Sequence, residues 1–251
     1  MSKHSELETL FGAIRFFTHL PVPGTLGQEP AALDKAIRYY PAVGLLVGTL
    51  AGLAFAVASL FWPKTLAVLA AVVAAVLATG ALHEDGWSDM VDGFGGGADR
   101  DGVLAIMRDS RIGNFGAVGM ILLLLARFCA LIEVEMLLVP VALIAGHTVS
   151  RLCSAVVFHF LDYARPEGKA SPFGDKLGKN DLIFAALTAL LPVLLLPPAQ
   201  SIPALFFAAG ATFWLWRLFK RRIGGYTGDC LGAVQQLAEV AFYGGLLCKF
   251  S

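Results

Sequence analysis

Long apolar runs with few charges are the feature that most constrains this chain. A membrane-spanning helix needs about 20 predominantly apolar residues, and several stretches approach that length. With 57% hydrophobic against 15% charged residues, the chain cannot cover itself with a water-exposed surface. We predict an all-α, polytopic integral membrane helix bundle with six to seven transmembrane helices in a single domain, residues 1–251. The predicted spans are Ala42–Phe61, Thr65–Leu82, Ile112–Ile132, Met136–Leu161, Leu182–Ala199, Ser201–Phe219 and, as the seventh, Cys230–Cys248.

Residues 1–40 precede the first span and form an N-terminal segment of their own. Apolar residues recur there at helical spacing between Leu7 and Leu20, and the pattern stops at the Pro21–Pro23 turn. This spacing predicts an amphipathic helix. Two positions remain open for it, one in the interface at the inner membrane surface and one packed against the bundle.

Positive charges are distributed unevenly among the loops. With the N-terminus inside, the inner segments hold 14 of the 19 Lys and Arg residues, and the outer segments hold only Lys64 and Lys249. Because short cytoplasmic loops retain Lys and Arg, the N-terminus and all long loops are predicted to face the cytoplasm. The net charge is zero, so the basic excess typical of nucleic-acid-binding proteins is missing and no nucleic acid partner is expected.

The segment 83–113 contains seven of the 19 acidic residues, and we predict that it is the cytoplasmic catalytic loop. Asp85, Asp89 and Asp92 are spaced i, i+4, i+7 and fall within an arc of about 60° on one helix face. Carboxylates on one stripe repel each other unless a cation lies among them, and such ligands suit one or two Mg²⁺ or Mn²⁺ ions. A solvated acidic loop is the alternative. The position of the stripe directly after an apolar span favours the metal site.

Glycines and arginines follow the acidic stripe. The backbone of Gly93–Gly97 is free to approach a phosphate, and three arginines downstream are candidate anion partners. Carboxylates for a metal beside arginines for phosphate are typical of a phosphotransfer site. Asp109 either ligates the metal or accepts a proton from the attacking hydroxyl, and a salt bridge that caps the next helix is the alternative for its stretch. The catalytic candidates are Asp92, Asp109 and Arg111, and the phosphate-binding candidates are Arg100, Arg108 and Arg111.

Two further segments supply candidate substrate-binding residues. The glycine-rich stretch Gly224–Asp229 leads into the last span, where free backbone N–H groups can hold an anion. A glycine turn that caps the helix is the alternative. His147 and Arg151 share a helix face at i, i+4 inside a span, where ionisable groups are usually functional; a structural ion pair is the alternative there. The candidates taken from these segments are His147, Arg151, Gly225, Thr227 and Asp229.

Taken together, the motifs resemble those of the cobalamin synthase family, the integral membrane enzymes also called adenosylcobinamide-GDP ribazoletransferases. The resemblance runs nearly end to end. The matching stretches are Phe16–Pro23, His83–Gly86 with Asp92–Gly93, Arg108–Gly113, Tyr163–Arg165 and Gly224–Asp229. Glu84 departs from the pattern, because an apolar residue is expected there in many relatives, and it is therefore left out of the ligand set.

The resemblance implies a reaction and a location. α-Ribazole, or its 5′-phosphate, would attack the phosphoanhydride of adenosylcobinamide-GDP, giving adenosylcobalamin or its 5′-phosphate and releasing GMP. It also implies Mg²⁺ dependence and a multi-pass position in the lipid bilayer of the bacterial cytoplasmic (inner) membrane.

Two alternatives to this activity remain. A CDP-alcohol phosphotransferase also uses a carboxylate motif headed by Asp-Gly, but it places an Ala-Arg pair soon after, where this chain has Trp87–Asp89. A secondary transporter would use His147 and Arg151 as its path, and such proteins usually show paired repeats, which this sequence lacks.

Overall fold

The computed structural model describes residues 6–33, 35–164 and 176–248, which are almost entirely helical. The ten α-helices of the described residues are α1 Glu6–Phe17, α2 Tyr40–Ala58, α3 Lys64–Thr79, α4 Leu82–Gly96, α5 Arg100–Ile106, α6 Asn114–Glu133, α7 Val139–Phe160, α8 Lys179–Leu190, α9 Pro198–Arg222 and α10 Gly228–Leu246. Within these ranges the only strand-like pairing is an isolated parallel bridge between Tyr163 and Tyr226. The predicted all-α class is confirmed for the described part of the chain.

Four helical segments are long and apolar enough to cross a membrane: Ala36–Ala58, Asn114–Glu133, Met136–Phe160 and Pro198–Arg222. The pair α3 and α4 also passes this test when taken together, but the two helices are bent by 87° at their junction. The protein is therefore a membrane helix bundle, with four such helices, or five with the bent pair, among the residues described. The count of six to seven spans stays a prediction.

Two predicted spans end differently from expectation. The span Thr65–Leu82 is cut short because Gly80 and Ala81 both adopt left-handed backbone conformations, with φ of 62° and 59°, so that α4 leaves in a new direction. The span Leu182–Ala199 is not one helix. α8 ends at Leu190 before Pro192, which has no backbone N–H to donate. At 12 residues α8 is about 18 Å long, shorter than the ~30 Å hydrocarbon core.

The segment 83–113 is not a loop, because α4 and α5 occupy most of it. The expectation that Gly93 and Gly97 leave their backbone free for a phosphate is wrong. A Cβ added at Gly93 would collide with the Met107 side chain, and one at Gly97 would lie 2.5 Å from the backbone nitrogen of Val103. These glycines instead allow α5 and the residue after it to pack directly against the end of α4.

α2, α7 and α10 form the centre of the bundle, and small residues let their backbones approach closely. A Cβ added at Gly44 of α2 would collide with the backbone carbonyl of His147 in α7. At the junction of α4 and α10, a Cβ added at Gly86 would lie 3.0 Å from the Cα of Asp229. The second contact brings the start of α10 directly against α4, one residue after Asp85.

The predicted N-terminal helix is confirmed as α1, and it packs against the bundle. Its buried face is Thr9, Gly12, Ala13 and Phe17. Glu6, at its start, accepts hydrogen bonds from Tyr39 and Arg38, which lower the pKa of the Glu6 carboxyl. A position at the membrane surface stays a prediction.

Some residues that carried sequence predictions lie outside the described residues. They include four of the charges used for orientation, which are Lys3, Arg165, Lys169 and Lys249. Arg165 is also the last residue of the Tyr163–Arg165 motif.

Candidate active site

Two cavities meet at Asp85, in the first turn of α4. The acidic cavity, of about 340 Å³, is lined by Val76, Ala81, Glu84, Asp85, Ser88, Asp89, Ser110, Ile112, Met120 and Leu124. The aromatic cavity, of about 210 Å³, is lined by Phe16, Phe17, Tyr40, Leu82, His83, Asp85, Gly228, Asp229, Leu231 and Gly232. Asp85 is the one residue that lines both, and it is exposed.

The acidic cavity forms where the connection between α5 and α6 returns to α4. Asp85 and Asp89 are four residues apart on α4, which places both carboxylates on the same helix face. Ser110 and Ile112, from the Arg-Asp-Ser-Arg-Ile stretch, line the same cavity. The structure thus brings two residues of this stretch to Asp85 and Asp89, while the roles of Arg108, Asp109 and Arg111 stay predictions.

Asp92 has a different environment from the other two carboxylates of the stripe. It is buried, its Oδ2 accepts a hydrogen bond from the Gly113 nitrogen at 2.7 Å, and its Oδ1 accepts one from the Gly116 nitrogen at 2.8 Å. These N–H groups belong to the first turn of α6 and its cap residue, which need such acceptors. Asp92 therefore caps α6 from another helix and does not line the acidic cavity.

Among the described ranges, no group of three or more His, Cys, Asp or Glu side chains is placed to hold a metal ion. Asp85 and Asp89 share a cavity, and Asp92 lies apart from them. Metal ligation by any of the three stays a prediction.

Asp109 and Arg111 form an exposed, two-pronged ion pair. Arg111 Nε donates to Asp109 Oδ1 at 3.0 Å and Nη2 donates to Oδ2 at 2.6 Å, while the Arg111 backbone N–H also donates to Oδ1. These bonds lower the pKa of Asp109 to about 2. A carboxylate with so low a pKa is a weak proton acceptor at neutral pH, which argues against the general-base role considered for it. Arg108, next to the pair, is exposed.

Arg100 does not lie beside the two cavities. Its Nε donates to the carbonyl oxygen of Ile223 at 3.0 Å and its Nη2 to that of Ala164 at 2.6 Å. The side chain thus joins α5 to the end of α9 and to the segment after α7. The predicted role in anion binding would compete with these bonds.

Gly225 lies in the connection between α9 and α10. The Tyr226 nitrogen donates to the Asp162 carbonyl at 2.9 Å, and a Cβ added at Gly225 would collide with that oxygen. Glycine is therefore required here for close backbone packing.

Thr227 and Asp229 begin α10. Thr227 is fully buried and is the N-cap residue, since its hydroxyl oxygen accepts a hydrogen bond from the Cys230 nitrogen. The interpretation of this stretch as a helix cap is thus confirmed for Thr227. The Thr227 hydroxyl also lies 3.2 Å from Asp229 Oδ2 and can donate to it. Asp229 lines the aromatic cavity together with Asp85.

His147 and Arg151 belong to a buried charged cluster that the sequence did not reveal. The His147 ring nitrogen Nδ1 lies 2.9 Å from Glu239 Oε2, and Arg127 lies 3.3 Å from Glu84 Oε1 and 3.5 Å from Glu239 Oε1. Arg151 donates to the backbone oxygen of His147 at 3.0 Å. The cluster joins α4, α6, α7 and α10, and the structure places the His147 ring against the Glu239 carboxylate. Substrate binding by His147 and Arg151 stays a prediction.

A signal for this cluster existed in the sequence. Arg127 and Glu239 are single charges of opposite sign inside two different apolar runs, and such charges usually pair inside a bundle. Glu84 departs from the expected family pattern and is their third partner. The sequence shows that these charges have opposite signs, but it does not show whether the two helices pack so that the charges lie at the same height and face each other.

Apolar helices long enough to cross a membrane define a polytopic membrane protein. Its carboxylate-lined cavity includes Ser110, which has two exposed arginines close by in the sequence, a combination typical of phosphotransfer sites. The family model for CobS, described as cobalamin-5-phosphate synthase, matches residues 9–247. The chain belongs to this family.

Curated relatives agree with this placement over nearly their whole length. The adenosylcobinamide-GDP ribazoletransferase of Shewanella baltica (strain OS185) is 38% identical over 251 residues, 98% of this chain and 96% of the relative. The protein of the same name from Ralstonia nicotianae is 42% identical over 236 residues, 92% of each chain. That of Shewanella frigidimarina is 39% identical over 248 residues, 95% of this chain and 93% of the relative. No solved structure matches the chain significantly.

Proposed function

We propose that this protein joins α-ribazole, or its 5′-phosphate, to adenosylcobinamide-GDP and releases GMP, a late step of cobalamin biosynthesis. The relatives' shared name supports the two substrates. The main observation behind the proposal is that separate sequence motifs come together in space. Four motifs far apart in the sequence contribute lining residues to two cavities that share Asp85, among them Phe17, His83, Ser110 and Asp229.

The acidic cavity fits a divalent cation. It is lined by Glu84, Asp85 and Asp89, and none of the described lining residues is Lys or Arg. Mg²⁺ is typically held by one or two carboxylates together with substrate phosphates, and Asp85 with Asp89 meets that requirement for one ion. Bound there, Mg²⁺ would neutralise charge on the phosphate oxygens. Asp92 is left out of this proposed ligand set, because both of its oxygens already accept backbone N–H groups.

The arginines at the rim would bind the pyrophosphate. Arg108 and Arg111 flank Ser110, which lines the acidic cavity, and both are exposed. A planar guanidinium holds phosphate oxygens in two-pronged fashion. Asp109, ionised at neutral pH, would keep the Arg111 guanidinium in one orientation through its paired hydrogen bonds. In the reaction, a ribose hydroxyl oxygen forms the new bond to the phosphorus on the cobinamide side of the anhydride and loses its proton to water. The anhydride bond breaks, and GMP leaves with the bond's electron pair.

We also propose six to seven crossings of the bacterial inner membrane, with the site at the cytoplasmic end. Seven crossings result when α3, α10 and α8 extended by the 3-10 turn Pro192–Leu195 are added to the four long apolar helices. The Arg222 guanidinium donates to the Gly97 carbonyl at 2.7 Å, so the basic end of α9 lies beside the end of α4. Basic helix ends favour the cytoplasm. Reaction of a cysteine placed at Gly96 with an impermeant reagent from the periplasmic side of intact cells would contradict this orientation.

One assay tests the proposed activity. The purified protein in nanodiscs, given adenosylcobinamide-GDP, α-ribazole and Mg²⁺, should release GMP and form adenosylcobalamin only when all components are present. GMP release that does not require α-ribazole, or transfer from a CDP-alcohol instead, would contradict it.

A further inference from the structure

The aromatic cavity has a wall of rings supplied by three separate helices. Phe17 at the end of α1 and Tyr40 at the start of α2 stack with centroids 4.2 Å apart and an interplanar angle of 26°. His83 of α4 is nearly parallel to both, with centroids 5.8 Å from Tyr40 at 23°. All three rings line the cavity. A set of nearly parallel rings is suited to the faces of a flat aromatic group.

One polar atom of this wall has no partner. The Nε2 atom of His83 is buried and makes no hydrogen bond to any of the residues that the structure describes, and the side chain is 2% exposed. Buried polar groups are normally hydrogen-bonded, so an unpartnered nitrogen in a cavity wall indicates a ligand that supplies the missing partner. This observation is independent of the stacked rings.

The lining of the cavity also includes two carboxylates. These are Asp85 and Asp229, and Asp85 also lines the acidic cavity. Carboxylates accept hydrogen bonds from hydroxyl groups. The cavity therefore combines an aromatic wall, a buried unpartnered nitrogen and two hydroxyl-binding carboxylates.

The volume limits what the cavity can hold. At about 210 Å³ it is below the roughly 300–1,000 Å³ of pockets for drug-sized ligands, so it suits a two-ring base and not a corrin ring. We propose that the aromatic cavity binds the aromatic base of the attacking nucleoside. His83 Nε2 donates to the free ring nitrogen of that base, and Asp85 and Asp229 hold the ribose hydroxyls towards the acidic cavity. This inference rests on the proposed transferase activity and adds the place and orientation of its acceptor.

The first test separates the two substrates kinetically. Phe17→Leu should raise KM for α-ribazole by about tenfold, the scale of base–aromatic stacking, and leave KM for adenosylcobinamide-GDP unchanged. Phe94→Leu is the matched control, because this ring of α4 packs against Phe219 and lines neither cavity. Equal KM for α-ribazole in variant and control, or a parallel rise for both substrates, would overturn the inference.

The second test does not need the Phe17 variant to fold. An analogue of α-ribazole with an indole base keeps the shape of the ring system but lacks its free nitrogen. Wild-type protein in nanodiscs should bind this analogue about tenfold more weakly than α-ribazole in calorimetry, and His83→Leu should bind both equally. Undiminished discrimination in His83→Leu would refute the role of Nε2.

The two proposals fail in different ways. If wild-type protein binds α-ribazole but releases no GMP, the transferase activity is wrong and the cavity assignment stands. If wild-type protein catalyses transfer and both variants treat the nucleoside as wild type does, only the cavity assignment is wrong.

Discussion

Two regions that treat charge differently meet at the neighbouring residues Glu84 and Asp85 of α4. Both residues line the acidic cavity, but only Glu84 also contacts the buried Arg127. In the buried charged cluster, the carboxylates of Glu84 and Glu239 face Arg127, and Glu239 also contacts His147. In the acidic cavity, Asp85 and Asp89 are lined up with no basic side chain among the described lining residues. Charges that the chain itself neutralises join helices together, whereas carboxylates on a cavity wall lie where a ligand can reach them.

The largest effect is expected in the acidic cavity. Asp85→Asn and Asp89→Asn should each lower turnover by about 10³-fold or more, because charge stabilisation by a bound metal amounts to several kcal/mol. Both variants should remain folded, since neither carboxylate belongs to the buried cluster. Asp101→Asn, at an exposed position in α5, is the control. Mg²⁺-dependent turnover near the wild-type level in Asp89→Asn would contradict the proposal that the acidic cavity holds the metal.

The buried cluster should respond in stability instead. Glu239→Gln leaves Arg127 and His147 without their shared carboxylate and should lower the free energy of unfolding by about 3–5 kcal/mol. Thermal unfolding in detergent measures this, with the exposed Glu133→Gln as the control. A double change, Arg127→Met with Glu239→Leu, should be less destabilising than the sum of its single changes. Additive losses would mean that the two side chains do not interact.

Asp92 tests the difference between the two regions, because the sequence groups it with Asp85 but in the structure it caps α6. Asp92→Ala should lower the unfolding free energy by about 1–2 kcal/mol, the usual cost of a lost cap. The Mg²⁺ concentration for half-maximal activity should stay unchanged. An increase of tenfold or more in that concentration would identify Asp92 as a metal ligand after all.

A smaller change is expected at the rim. Arg111→Lys keeps the charge but loses the planar fork, so affinity for adenosylcobinamide-GDP should fall by about tenfold. Arg221→Lys, at the exposed end of α9, serves as the control. Steady-state kinetics in nanodiscs would decide, and unchanged KM and kcat in Arg111→Lys would remove it from the phosphate site.

The smallest effect concerns pH. The pKa of Asp109 is lowered to about 2, so its carboxylate is ionised at neutral pH and is lost only as the pH falls through that value. The ratio of wild-type to Asp109→Asn activity should therefore stay constant between about pH 5 and 9. A ratio that falls towards one below pH 7 would show that Asp109 takes up a proton in that range and acts as the base.

Much of the fold could be read from local pattern. Apolar runs predicted the helices that became α2, α6, α7 and α9, because a helix inside a membrane satisfies its own backbone groups and needs only length and hydropathy. The i, i+4 spacing predicted that Asp85 and Asp89 share a face. The family resemblance, which depends on ordered motifs, is confirmed by the match over residues 9–247.

What the pattern could not supply is the relation between helices. Asp92 follows the same spacing as Asp89, but the packing of α6 brings the Gly113 and Gly116 nitrogens to its carboxylate. From the sequence, the backbone of Gly93 and Gly97 was expected to be free for a phosphate, but in the structure α5 and the residue after it pack against both glycines. Each of these outcomes depends on a partner that lies beyond the same helical turn, from six residues away for Gly97 and Val103 to 24 for Asp92 and Gly116.

Length, hydropathy and ordered motifs were enough to identify the membrane class, the helices with their polar faces, and the family. Helix packing, in contrast, sets which charges neutralise each other, which carboxylate caps a helix, and which three rings form one cavity wall. The physical reason is that helical periodicity is set by bonds within about four residues, whereas the pairing of faces depends on the rotation, tilt and offset at which whole helices pack.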